Sequence, residues 1–264
     1  MKFDDLENGM RMFETSHDHC VLPGMHMVAR LDGRSFTRLT RERHPFEAPY
    51  DVRFRDYMVG TARHLMDCGF RVLYAHTHSD EISLLIHPTE QAFGRRLSKY
   101  HSILAGEASA KFSLLLGDLA SFDCRISQLP TVDTVADYFR WRTGEALRNA
   151  LHSYCYWTLR AEGTGPQAAD SILKGMSFPE KTGMLERRGI DFDGLPAWQK
   201  RGVGLYWEVY EKPGWDPRTG EHVRTTRRRI RVDMALPVQE AYSAFITGLL
   251  YDSTGLGASN MEAG

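Results

Sequence analysis

A chain of 264 residues is long enough for one large domain, or for a core domain with a second unit appended. Its 42% apolar and 25% charged content is that of an ordinary soluble globular protein, and a formal net charge of −1 excludes a global basic field, so any nucleic-acid binding must come from local patches. Cys20, Cys68, Cys124 and Cys155 are too scattered for a zinc ribbon or a disulfide framework; with a polar, acidic N-terminus and no apolar run near ~20 residues, the sequence predicts a cytoplasmic protein with reduced thiols, no signal peptide and no membrane span.

Residues 25–31 read as a buried strand that ends at Asp32-Gly33-Arg34. A polar, Pro-containing stretch follows over 40–50. Phe54, Met58, Ala62, Leu65 and Met66 then recur at helical spacing up to a stop at Cys68-Gly69. A second strand is predicted over 70–76, a turn over 77–80 and a third strand over 81–87, ended by Pro88. A helix over 90–116 and a fourth strand over 120–127 complete the order β-α-β-β-α-β. A long helix over 131–161, capped by Thr131 or Asp133, is broken at Gly163-Thr164-Gly165-Pro166 and followed by a shorter one over 167–175. Segments 203–211 and 222–232 alternate around Pro213-Gly214 and 217–220, which predicts a long-looped hairpin; a last helix spans 237–250. The expected class is α+β, with a ferredoxin-like core over 1–130, helices and a hairpin packed on it over 131–250, and a disordered Gly/Ser/Ala-rich tail over 251–264.

The usual order of such a sheet is 4-1-3-2, with the first and third strands antiparallel neighbours. The exit of the first strand, Asp32, then lies beside the entry of the third, Asp80 and Glu81. Two carboxylates ~4 Å apart repel by roughly 4 kcal/mol at an effective dielectric near 20, so one protonates or a cation neutralises both. Hard oxygen donors beside Gly33, whose carbonyl can approach closely, suit Mg²⁺ bound together with phosphates, and a pair of such ions suits phosphoryl or nucleotidyl transfer. Taken singly, each aspartate is as well explained as a turn residue; their convergence is what favours chemistry.

Two basic groups accompany the acids. Arg95, Arg96 and Lys99 open the second core helix, with Arg96 and Lys99 on one face, and Arg30 lies on the Asp32 side of the first strand; together they suit a triphosphate, the bland alternative being a solvated surface. Arg224, Arg227, Arg228, Arg229 and Arg231 on the hairpin, opposite Tyr206, Trp207 and Tyr210, suit an RNA backbone, or merely keep an outer strand soluble. His17, His19, Cys20 and His26 match no standard zinc spacing, and Tyr138, Trp141, Tyr154 and Trp157 read as core.

Arg30-Leu31-Asp32-Gly33-Arg34-Ser35-Phe36, Ser79-Asp80-Glu81, Phe122-Asp123-Cys124-Arg125, Asp137 to Arg142, Leu195-Pro196 and Gln199 to Gly202 occur in an order that resembles the tRNA-histidine guanylyltransferase family, over about residues 5–250. The likeness is nearest to its bacterial and archaeal branch, the 3′-to-5′ polymerases. The resemblance implies a polymerase-type palm and two Mg²⁺ ions on Asp32, the Gly33 carbonyl and Asp80, with Glu81 close by. It implies triphosphate contacts from Arg30, Ser79, Arg96 and Lys99, a base site lined by Phe46 and Asp51, and ATP, GTP and other nucleoside triphosphates as substrates. Asn149 falls in the stretch aligned with a family tRNA-site motif, of which the histidine is missing here, and Ala48 stands where the family usually has a lysine. The activity implied by the resemblance is templated repair of 5′-truncated tRNA or guanylylation of histidine tRNA, by a homotetramer built as a dimer of dimers. The alternatives are a nucleotide cyclase on the same palm and a tRNA-binding protein without catalysis.

Overall fold

Alternation along β1 (His26–Gly33) sends Met27, Ala29 and Leu31 to one side of the sheet and Val28, Arg30 and Asp32 to the other. β1 lies antiparallel to both β3 (Glu81–Ile86) and β4 (Phe122–Leu129), and β2 (Val72–His78) closes the order 4-1-3-2. The sheet is longer than expected. β5 (Val203–Asp216) pairs with β2 through Tyr74–Thr77, and β6 (Glu221–Asp233) follows it, giving β4-β1-β3-β2-β5-β6. In this computed structural model residues 3–254, apart from 217, 219 and 220, are described.

One face is covered by α3 (Val52–Leu65) and α4 (Leu97–Leu116), whose Met58, Ala62, Leu65, Tyr100, Leu104 and Phe112 pack against Met27, Ala29, Leu31, Ile82 and Leu84. The other is covered by α5 (Val132–Ala161) and α9 (Gln239–Thr254), which set Val135, Phe139, Tyr242 and Ile246 on Val28, Tyr74 and Leu85. Thr131 caps α5 in a capping box with Thr134. The C-terminal half of α5 packs with α6 (Pro166–Leu173) and α7 (Phe178–Glu186) around Leu151, Cys155, Leu173 and Leu185. The carboxylates sit where β1 ends and β3 begins.

Several expectations shift. α4 begins at Leu97 rather than at 90, because Phe93 and Gly94 take left-handed backbone angles (φ 54° and 61°) that no α-helix continues through. The strands of the hairpin run on through Pro213-Gly214. Beyond Tyr206, β6 is β5's only paired strand among the described residues, so a proline without an N–H is tolerated on the free side. Residues 251–254 belong to α9 rather than to a disordered tail, and 255–264 lie outside the described residues, as do three of the four residues of the predicted 217–220 loop. The sequence pattern does not announce α1 (Phe3–Thr15), α7, the five-residue α8 (Ala197–Arg201) or the π-helical turn Leu39–Arg43, which continues a short α2 (Phe36–Arg38). No helix among the described residues is long and apolar enough to cross a membrane.

Candidate active site

The register pairs Asp32 with Glu81 across β1 and β3, and the Gly33 N–H donates to the carbonyl oxygen of Asp80 (3.1 Å), which ties the exit of β1 to the β2–β3 turn. Within that two-residue turn Ser79 is left-handed (φ 53°) and its hydroxyl donates to Asp80 Oδ1 (3.1 Å). Burial and the facing Asp32 push the Asp80 carboxyl up to about 6. Burial and the charge of Glu81 also raise Asp32, against the pull of Arg30. Both shifts describe acids crowded into one place with too little positive charge. Gly33 has no room for a side chain here, since a Cβ would meet the buried Phe36 ring at 2.5 Å.

Glu81 is committed differently. It bonds Arg30 on one side and Arg142 on the other (2.5 Å), and Arg30 also donates to Asp32 (3.1 Å). Arg30 is therefore held among carboxylates, not extended towards a phosphate. Arg142 was not among the sequence-predicted site residues. Its signal is a charge on the inward stripe of α5, in line with Val135, Tyr138, Phe139 and Ala146, all of them buried as it is.

Two cavities meet at the β2–β3 turn and share His78, Ser79 and Asp80. The larger, about 390 Å³, is walled by Phe36, Phe46, Phe54, Tyr50, Trp157 and Trp198, with Ala48 and Asp51 also lining it. The smaller, about 80 Å³, lies under α5 between His76, Glu81, Ser83, Arg142 and Asn149. Asp51 is the N-cap of α3. Its oxygens accept from the Glu47 N–H (2.8 Å), the Arg53 N–H (2.7 Å) and the Arg53 guanidinium (2.7 Å), and the Arg53 hydrogen bond foremost holds the carboxyl down at about 2. Residues 199–202 close the end of β2: His76 Nε2–H donates to the Arg201 carbonyl (2.7 Å) and His78 Nε2–H to that of Gln199 (3.0 Å).

Arg96 and Lys99 are not brought to this place. Strand β3 starts at the carboxylates and runs away from them, so the helix that follows begins at the far end. There Arg96 bonds Asp18 (3.0 Å), Arg95 bonds the Met25 carbonyl (2.6 Å), and Cys20 bridges Arg96 beside the start of β1. That start is about 20 Å of strand away from Asp32. The direction of the third strand was the available signal. Asn149 faces the smaller cavity and not the arginine-rich hairpin. On the hairpin Arg224 pairs with Glu211 and Arg229 and Arg231 with Glu208, while Arg228 stacks on Trp207 (4.4 Å). Tyr138 is buried as core, whereas Trp141 is 51% exposed and Trp157 lines the larger cavity. No group of three or more His, Cys, Asp or Glu side chains converges as a metal cluster among the described residues.

Known proteins resemble this chain. The family model described as tRNAHis guanylyltransferase matches residues 7–130, and the model of its C-terminal domain matches 133–240. The chain belongs to the tRNA-histidine guanylyltransferase family. It is thereby a nucleotidyltransferase. Among its relatives, the tRNA(His) guanylyltransferase of Debaryomyces hansenii is 28% identical over 83% of this chain and 87% of its own, and that of Neurospora crassa 32% over 74% and 71%. The structure of a bacterial tRNA(His) guanylyltransferase-like protein in complex with ATP superposes with a TM-score of 0.72, at 27% identity, over 93% of this chain and 99% of that one. The Saccharomyces cerevisiae enzyme does so with a TM-score of 0.69, at 25% identity, over 78% and 93%.

Proposed function

We propose that this guanylyltransferase-family chain joins nucleoside triphosphates to the 5′ end of tRNA in the 3′-to-5′ direction, with two Mg²⁺ ions held by Asp32, the Gly33 carbonyl and Asp80. The observation that carries this reading is the meeting of Asp32 with Asp80, the latter lining a cavity of about 390 Å³, a volume suited to a nucleotide. The donors fit the metal. They are hard oxygens whose burial beside other acids, which raises both carboxyls, a divalent cation relieves. When bound, the ions lower the pKa of an attacking hydroxyl and stabilise the leaving phosphate.

The chain's own groups do the rest. Phe46, Phe54 and Tyr50 give the base an apolar wall, and Ser79 fixes the orientation of Asp80. Asp51 supports the nucleotide site by holding the start of α3, its carboxylate already being engaged. Arg30 and Arg142 hold the Glu81 carboxylate from two sides, between β1 and α5. The bound nucleotide's identity is set by pairing with the opposite tRNA strand, so 5′-truncated tRNAs are substrates and guanylylation of histidine tRNA is one instance. Arg227 and Arg228 track the tRNA backbone from the hairpin. The working form is a homotetramer in the cytoplasm; the exposed Phe3, Leu6, Met10 and Phe13 stripe of α1 supports self-association, and the mass in sedimentation tests it.

The deciding experiment mixes the protein with a tRNA lacking its first nucleotide and with single labelled nucleoside triphosphates. Label is expected at the 5′ end, chosen by the opposing base. Asp32→Asn and Asp80→Asn should each lower transfer on the order of 10²-fold or more while circular dichroism stays unchanged. Near-normal turnover in either variant rules out the metal assignment, and a cyclic nucleotide formed without RNA rules out the reaction.

A further inference from the structure

The larger cavity has a charge problem if a polyphosphate enters it. Glu47, Asp51 and Asp80 line it, Ala48 contributes nothing, and its cationic side chains are two arginines. Arg55 is taken: it bonds Asp56 (2.8 Å) and lies 4.8 Å over the Trp198 ring. Arg41 is different. It projects from the π-helical turn Leu39–Arg43, exposed, and no carboxylate pairs with it among the described residues. Its guanidinium carbon sits 5.1 Å from the Trp157 ring centre and 5.9 Å from that of Tyr156, both on α5.

Stacking occupies the flat face of a guanidinium and leaves the N–H groups at its rim directed outward, already ordered, in the fork geometry that matches phosphate oxygens. The geometry points to Arg41 as the residue that binds the β- and γ-phosphates of the nucleoside triphosphate in this cavity, held ready by the Tyr156–Trp157 platform. This inference rests on the nucleotidyl-transfer reading. It adds to it a cation from an unexpected element, lining the same cavity as the uncharged Ala48. The π-helical turn has a corresponding role. By widening the helix at residues 39–43 it places Arg41 towards α5, while its neighbour Arg38 bonds Glu42 at the surface.

The test titrates the full-length protein with ATP, ADP, AMP and adenosine by calorimetry, for the wild type and for Arg41→Ala, Arg41→Gln and Arg41→Lys. Arg41→Ala and Arg41→Gln are expected to weaken ATP about tenfold, ADP less, and AMP and adenosine less than about twofold, with Arg41→Lys intermediate. A purely structural staple between the turn and α5 predicts something else: equal losses for all four ligands with a lowered melting temperature, or no loss. Either of those results overturns the inference while wild-type ATP binding keeps the nucleotide reading intact. A wild type that binds none of ATP, ADP or AMP overturns both.

Discussion

Gly202 occupies a spot from which any side chain is excluded. Its φ is +79°, and a Cβ would lie 2.5 Å from the Thr77 carbonyl oxygen and 2.6 Å from His76 Nε2. With ψ at −168° its backbone lies in a region essentially confined to glycine, which costs an L-residue ~1–3 kcal/mol, and crowding of this kind costs ~1–3 kcal/mol more. Gly202→Ala should therefore lower the urea midpoint by the equivalent of roughly 2–6 kcal/mol. It should also slow transfer, because 199–202 hold the histidines that floor the site. An unchanged midpoint would show that the segment moves aside at no cost. The residue scale is also where legibility from sequence divides. Asp32 and Asp80 could be brought together because strand direction and order follow from the β-α-β-β-α-β pattern alone. The charge of Arg96 and Lys99, and the resemblance, point to a phosphate site, but the direction of the strand before them sets them at the far end of the sheet. His76 and Arg142 are not singled out by the sequence, and Trp157 reads there as core, because each looks like core in a one-dimensional pattern and declares itself only by what it faces.

Elements show the same division. Strands and long helices with a buried periodic face were legible: β1, β3, α3 and α5 all lie near their expected bounds. α1 has no buried residue, so its amphipathic pattern had no partner to point to. The pairing of β5 with β2 joins residues about 130 apart (204 − 76 = 128), and no local signal encodes such a contact. The β5–β6 ribbon illustrates how an element redistributes charge. Its acids neutralise Arg224, Arg229 and Arg231, which leaves Arg227 and Arg228 without an acidic partner among the described residues. Arg227→Ala with Arg228→Ala should weaken tRNA binding similarly for all sequences and reduce the slope of log K against log salt by about 1–2, whereas Arg229→Ala should change it little. Equal salt slopes for the two variants and the wild type would remove the hairpin from the RNA path.

For the molecule as a whole, the floor of the site sets its response to acid. His76 is buried against the Arg201 carbonyl, and burial pushes its imidazole down to about 4. Between the ordinary value near 6.5 and 4, the unfolded chain takes up a proton that the folded chain refuses, so stability falls as pH falls through that window and is unaffected above it. The loss across the window totals ~3 kcal/mol, since each tenfold difference in proton affinity is worth ~1.4 kcal/mol. His76→Gln keeps a donor for the Arg201 carbonyl without the titration, and its urea midpoint should vary less than the wild type's between pH 6.5 and 4. Identical slopes would assign acid sensitivity elsewhere.

The pairing of β2 with β5 has a practical consequence. The strand that delivers His76, His78 and the turn with Asp80 has β3 on one flank and, on the other, a strand from beyond residue 200. A fragment ending near residue 130 would keep both aspartates but bare a row of unpaired amides and carbonyls along β2, an invitation to stack with copies of itself. Fragments meant to isolate the chemistry would precipitate before they could be assayed; dissecting this protein calls for point changes in the intact chain.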